Sequence, residues 1–304
     1  MNIVTKILPL IAVAAACVFF WPTPRPNPDR VYAKVPKEKV AALTGFRKEK
    51  ISKQIKVDGK KWDYLSVGSG PNTILFLHGM TGAYDIWWQQ IQALKGEYRV
   101  IALTYPAVNK LAALEKGVLA VLDAEGVKDC YLVGTSLGGY LAQYLVARHP
   151  ERVAKAVFSN TFPPNDLLKE KNGKIGALIP FLPEWVVMKV LRGSFVERVY
   201  PASGNDELTL AFLNEVGSGR MSKEQVNGRY KCVVEKFEPA ANTSVPILII
   251  EASNDPLVEG ALREQLKRTY PNAKTVTVDN GHFPYLGRPD AFNATIKTFF
   301  EETL

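Results

Sequence analysis

The stretch "VGTSLGGY", residues 133–140, sets one serine among three glycines where the chain changes character. The apolar run "CYLV" precedes it, and "YLAQYLVARHP" follows with the period of an amphipathic helix. Glycine belongs where the backbone takes a positive φ or where another segment passes very close. A serine whose Oγ projects from a tight strand-to-helix turn needs such neighbours. Gly134 and Gly138 flank Ser136 in the spacing G-x-S-x-G, which presents a nucleophile on such a turn. The N–H of Leu137 then lies at a helix N-terminus, oriented to donate to an anion. A plain N-cap serine before a close-packed helix has the same short signature, so the rest of the chain decides.

Outward from the serine the chain alternates. "KISKQIKVDGKKWDYLSVG" reads as a hairpin turning at Asp58 and Gly59. Then come "TILFLHG" (strand), "AYDIWWQQIQAL" (helix), "YRVIALTYP" (strand), "LAALEKGVLAVLDAEG" (helix), "DCYLVG" (strand), the serine helix and "VAKAVFSN" (strand). Strands without polar alternation, set between helices, indicate a mostly parallel sheet covered on both faces. The pattern breaks at about 163–244, where helix-like segments replace strands, and resumes at "VPILIIEAS". This predicts an α/β fold with a helical cap inserted after the sixth strand, over the sheet edge where such folds bind ligands. The cap stretch "IGALIPFLPEWVVMKVL" carries more apolar residues than a solvent-covered helix needs, and part of it is expected to line an apolar pocket.

A serine nucleophile needs a base, and the base needs a group that fixes its tautomer. There are three histidines. His149 lies some thirteen residues along the serine's own helix, about 20 Å away at helical rise. His78, in "FLHGM", reads as a brace for its loop. His282, in "DNGHFPYLGRP", follows the last predicted strand on the same edge as Ser136, which makes it the base. The acid should occupy another strand end: Asp255 in the loop of "ILIIEASNDPLV", with Glu251 in reserve. The N–H of Met80 supplies a second oxyanion donor beside that of Leu137. The order Ser136, Asp255, His282 is that described for the elbow of this kind of sheet.

On these residues the chain resembles the α/β-hydrolase fold from about 51 to 304. The segments "YRVIALTYP", "GTSLGGYLAQ", "VFSNTF", "YPNA" and "FPYLGR" are similar to the maspardin-like branch. The resemblance implies a serine hydrolase, esterase- or lipase-like, that cleaves a carboxylic ester through an acyl-enzyme. It places nucleophile, acid and base on Ser136, Asp255 and His282, the oxyanion donors on Met80 and Leu137, and implies no cofactor. Maspardin itself is regarded as a binding protein lacking the histidine of this segment. The alternative implied is therefore a non-catalytic adaptor, and His282 moves the reading back toward an enzyme.

Composition fits one large α/β domain or two smaller ones, and the charge is concentrated at one end. Residues 22–61 carry 12 Lys/Arg against 4 Asp/Glu, whereas residues 62–304 carry 25 against 26. A neutral body argues against nucleic acid as a partner. Three scattered cysteines and three histidines have neither disulfide-framework nor metal-ligand spacing. At the N-terminus, "ILPLIAVAAACVFFW" (7–21) is read as an uncleaved single-pass signal-anchor that ties the protein to a membrane, on a side left open. The expected division is a membrane anchor or signal-like segment at 1–21, a Pro-rich basic linker at 22–50, and the hydrolase domain at 51–304 with its cap at about 163–244.

Overall fold

The computed structural model describes residue 13, residues 16–49 and residues 52–302. Eight strands form one sheet: β1 (Ser52–Val57), β2 (Lys60–Val67), β3 (Thr73–Leu77), β4 (Arg99–Thr104), β5 (Cys130–Thr135), β6 (Val153–Ser159), β7 (Ile247–Glu251) and β8 (Lys274–Thr277). Their order is β1-β2-β4-β3-β5-β6-β7-β8. The β1–β2 hairpin closes through Asp58 at φ 48° and Gly59 at φ 74°, two left-handed residues as a tight hairpin turn requires. β2 joins β4 antiparallel, and every pairing from β4 to β8 is parallel.

Alternate side chains of the central strands feed two cores. Ile74, Phe76, Val100, Val133 and Ile250 face one, together with α2 (Trp88–Leu94) and α10 (Pro289–Glu301). Leu75, Leu77, Ile101, Leu132 and Ile249 face the other, against α3 (Leu111–Ala124), α4 (Leu137–Arg148) and α9 (Gly260–Thr269). With both faces buried, the strands read as continuous apolar runs.

The cap lies between β6 and β7, as the break in the alternation predicts. Its main helices are α5 (Leu167–Leu178), α6 (Glu184–Ser194), α7 (Glu207–Glu215) and α8 (Lys223–Val234). A reciprocal capping box between Ser222 and Gln225 starts α8. Of the apolar excess in the cap stretch, Ile179, Val187 and Met188 are buried, while Ile175, Leu178, Phe181 and Val190 face outward.

The N-terminal region departs from expectation in two ways. No helix among the described residues is long and apolar enough to cross a membrane, which overturns the single-pass anchor and the membrane localisation built on it. The 15-residue run contains Pro9 and falls short of the roughly 20 residues a spanning helix requires. Residues 1–12, 14 and 15 of that segment lie outside the described residues. Its described end lies along the cap: Trp185 Nε1 donates to the Val18 carbonyl (3.0 Å) and Thr23 to Glu184 (3.1 Å).

Second, the stretch expected as a linker contains α1 (Lys37–Lys48), which buries Leu43 and Phe46, with Tyr32 and Val35 buried just before it. Val40, Leu43 and Phe46 recur every three residues, so one face of α1 is apolar despite its charge. Arg47 then joins body to cap, with Nε on the buried Asp85 (2.8 Å) and Nη2 on Glu215 (2.9 Å). Arg220 also binds Asp85 (2.8 Å), and the Tyr32 hydroxyl donates to Glu215 (2.6 Å).

Candidate active site

Ser136 stands between β5 and α4 with φ 53° and ψ −120°, a left-handed conformation rare for a side chain of its type. Neither flanking glycine carries the positive φ; they are required by close approach. A Cβ on Gly134 would lie 2.2 Å from the Gly138 carbonyl oxygen, and one on Gly138 would lie 2.1 Å from that of Leu77. With both sites bare, the helix start presses against β3 and β5 and the serine takes the strain. Its N–H donates to the Ser159 carbonyl (3.0 Å), and its own carbonyl accepts from Thr161 Oγ1 (2.7 Å). The turn is therefore clamped by the end of β6.

The "HGM" loop meets the serine directly, since a Cβ on Gly79 would stand 3.6 Å from Ser136 Oγ. His78 is fully buried, and its ring sets the loop. Nε2 accepts from the Tyr105 N–H (3.2 Å), so Nδ1 carries the proton and donates to the Gly79 carbonyl (2.7 Å). Gly79 C=O and Met80 N–H belong to one planar trans peptide and point in opposite directions. Holding the one fixes the other. Burial, then the nearby Arg229 charge, pushes the His78 pKa well below its ordinary value against the effect of the Gly79 hydrogen bond, so the ring is neutral.

His282 and Asp255 are brought together in near-complete burial. His282 Nδ1 lies 2.8 Å from Asp255 Oδ2 and 3.0 Å from Oδ1; a carboxylate only accepts, so Nδ1 donates. Asp255 Oδ1 also accepts from the N–H groups of Leu257 (2.8 Å) and Val258 (3.1 Å). Oδ2 accepts from Asn160 Nδ2 (3.0 Å). Burial pushes the Asp255 pKa up, but His282, Asn160 and the Leu257 N–H outweigh it and hold the carboxyl below its usual range. Among the described residues no hydrogen bond joins Ser136 Oγ to His282. Glu251 sits at the end of β7 paired with Lys267 (3.1 Å), and His149 meets Glu115 (2.8 Å) at the far end of α4.

Two residues of the site were not singled out from sequence. Asn160, buried with φ 42° after β6, ties Asp255 to the Gly281 carbonyl (3.2 Å) beside His282. Arg229, on cap helix α8, is buried against the "HGM" loop. The unusual Asn after an apolar strand, in "VFSN", was the available signal for the first; the polar surroundings "NGRYK" gave none for the second.

A family model described as "alpha/beta hydrolase fold" matches residues 72–195, and one for a TAP-like protein matches 221–303. Together with the sheet, the elbow and the cap, these matches identify the fold. The chain has the α/β-hydrolase fold. Maspardin of Danio rerio is 26% identical over 248 residues, covering 79% of this chain and 78% of that protein. Human epoxide hydrolase 4 is 24% identical over 286 residues, covering 82% and 78%. Among solved α/β-hydrolase structures, an enol-lactonase from Burkholderia xenovorans superimposes with a TM-score of 0.72 at 20% identity, over 82% of this chain and all of that one (100%). A carboxylesterase from Bacillus subtilis gives 0.69 at 18% identity, over 91% and 99%.

Proposed function

We propose that this α/β-hydrolase is a serine esterase that hydrolyses a carboxylic ester or lactone through an acyl-enzyme. The observation that carries the reading is the buried Asp255–His282 couple, Nδ1 to Oδ2 at 2.8 Å, on the sheet edge where the strained Ser136 turn opens. On this reading each residue has one role. His282 Nε2 takes the Ser136 proton as Oγ attacks the carbonyl carbon. Asp255 holds the Nδ1–H tautomer and stabilises the imidazolium. The developing oxyanion is met by the N–H groups of Met80 and Leu137. The same proton goes to the leaving alkoxide, and a water activated by His282 then releases the acid.

Apo geometries of such couples are often loose, tightening only around substrate, so the open Ser136–His282 pairing is compatible with this assignment. The esterase and lactonase neighbours support the substrate class at the level of fold. We take 51–304 as the hydrolase unit with its cap at about 163–244, and assign α1 of the 22–50 stretch to the same body. The test is a fluorophosphonate probe followed by mapping of the adduct, alongside a panel of chromogenic esters and lactones. Adduct on Ser136 and turnover of either class is the expected result. A folded protein that leaves Ser136 unlabelled and every substrate intact would point to the maspardin-type binding role.

A further inference from the structure

Arg229 is one of the largest fully buried side chains of the molecule, 1% exposed, and among the described residues no carboxylate pairs with it. A buried cation without a counter-ion is costly unless its donors are all met. Here the two terminal nitrogens are met by backbone carbonyls of one region, and Nε alone has no partner among the described residues. Nη1 donates to the carbonyls of Met80 (2.6 Å) and Gly82 (3.0 Å), and Nη2 to that of Tyr105 (3.0 Å). Met221 Sδ lies 3.3 Å from Nη1, and the guanidinium carbon is 5.7 Å from the centre of the Tyr105 ring. Gln225, one turn earlier on α8, adds a second donor to the Tyr105 carbonyl (2.9 Å). The helix comes this near because Gly228 has no side chain: a Cβ there would stand 2.2 Å from the Val108 carbonyl oxygen.

The three acceptors are not arbitrary pieces of backbone. Met80 and Gly82 belong to the turn closed by the Gly82 N–H on the Gly79 carbonyl. Tyr105 donates its N–H to His78, whose ring holds the Gly79–Met80 peptide plane. A side chain of the cap thus grips the oxyanion loop directly and through His78. We infer that Arg229 is a positioning residue for the oxyanion hole, so that the seating of cap helix α8 sets the aim of the Met80 N–H. Lysine could not replace it, because an ammonium lacks the planar fork that spans three carbonyls. The inference rests on the hydrolase reading of Ser136.

The experiment compares Arg229→Lys and Arg229→Gln with the wild type on a chromogenic ester, with kcat expressed per Ser136 titrated to endpoint by a fluorophosphonate. A loss of fold removes titratable sites, whereas a misaimed donor lowers turnover at each site that remains. The expected result is a fall in kcat of about 10²-fold per site, the scale of losing one oxyanion donor, with KM held within about twofold. A kcat per site within about threefold of wild type in either variant would overturn the inference. Should both variants fail to fold, the wild type decides through linkage: filling the oxyanion hole must stabilise the seating of α8 by the amount that α8 stabilises the hole. Hydrogen exchange across residues 223–234 should slow when Ser136 carries the phosphonate, and unchanged exchange there with slowed exchange at 78–82 would overturn the inference. A wild type that forms no Ser136 adduct removes the hydrolase reading and this inference with it. A normal adduct with undiminished turnover in Arg229→Lys removes this inference alone.

Discussion

Ser136 and Asp255 stand at the ends of two strands of one sheet, with β6 between them, yet they are held by different physics. The serine is placed by backbone crowding: two bare Cα positions, a left-handed φ, and main-chain bonds to Ser159 and Thr161. The aspartate is placed by hydrogen bonds to its charge from Asn160, two loop amides and His282. Crowding resists any added atom, whereas a hydrogen-bonded carboxylate gives up its hold one partner at a time. Substitutions on the two sides should therefore fail differently.

The largest effect expected is at the reacting atoms. Ser136→Ala should bring turnover to background, a loss on the order of 10⁶-fold, with His282→Ala nearly equal, both retaining their circular dichroism. Asp255→Asn follows at about 10⁴-fold, since the base survives with its tautomer released. Glu251→Gln should stay near wild type, because Lys267 rather than His282 engages that carboxylate. A crippled Glu251→Gln beside an active Asp255→Asn would break the assignment of the acid.

The comparison sharpens one shell further out. Gly138→Ala should act mainly on stability, costing about 1–3 kcal/mol of overpacking by denaturant titration. Asn160→Ala should act mainly on rate, lowering kcat by about tenfold to a hundredfold, the equivalent of the 1.5–3 kcal/mol that a hydrogen bond to a charged group contributes. The reverse pattern would show that the two corners are not held differently. The smallest effect is in acid. The folded-state pKa of Asp255 lies below its ordinary value, so the stability it contributes is complete above the usual carboxylate range. That stability is lost as pH falls through the depressed value. Removing Asn160 raises the folded pKa, and the drop in melting temperature should begin at higher pH than in the wild type.

The same contrast explains what could be read from the residues. Backbone crowding leaves a mark in composition, so the glycines around Ser136 disclose the turn. The strand ends at Asp255 and His282 follow from the βα alternation. Asn160 and Arg229 act across distances of 95 and 149 positions, and no local period records a partner so remote. Helix α1 is masked for another reason: its lysines and arginines give it the composition of a linker, although Val40, Leu43 and Phe46 recur every three residues. The apolar run at 7–21 has the hydropathy of an anchor but falls short of the length of a span.

The grip of Arg47 on Asp85 and Glu215 bears on the order in which the chain assembles. Its partners lie 38 and 168 positions away, so the second contact closes only once the chain has been made as far as Glu215, through most of the cap. Contacts of such separation carry a large loop-closure cost and form late. Mutations at Arg47 should consequently speed unfolding while leaving the refolding rate almost unchanged, a low φ-value in a helix that precedes the whole sheet. A helix made before the sheet would be among the late elements to find its place.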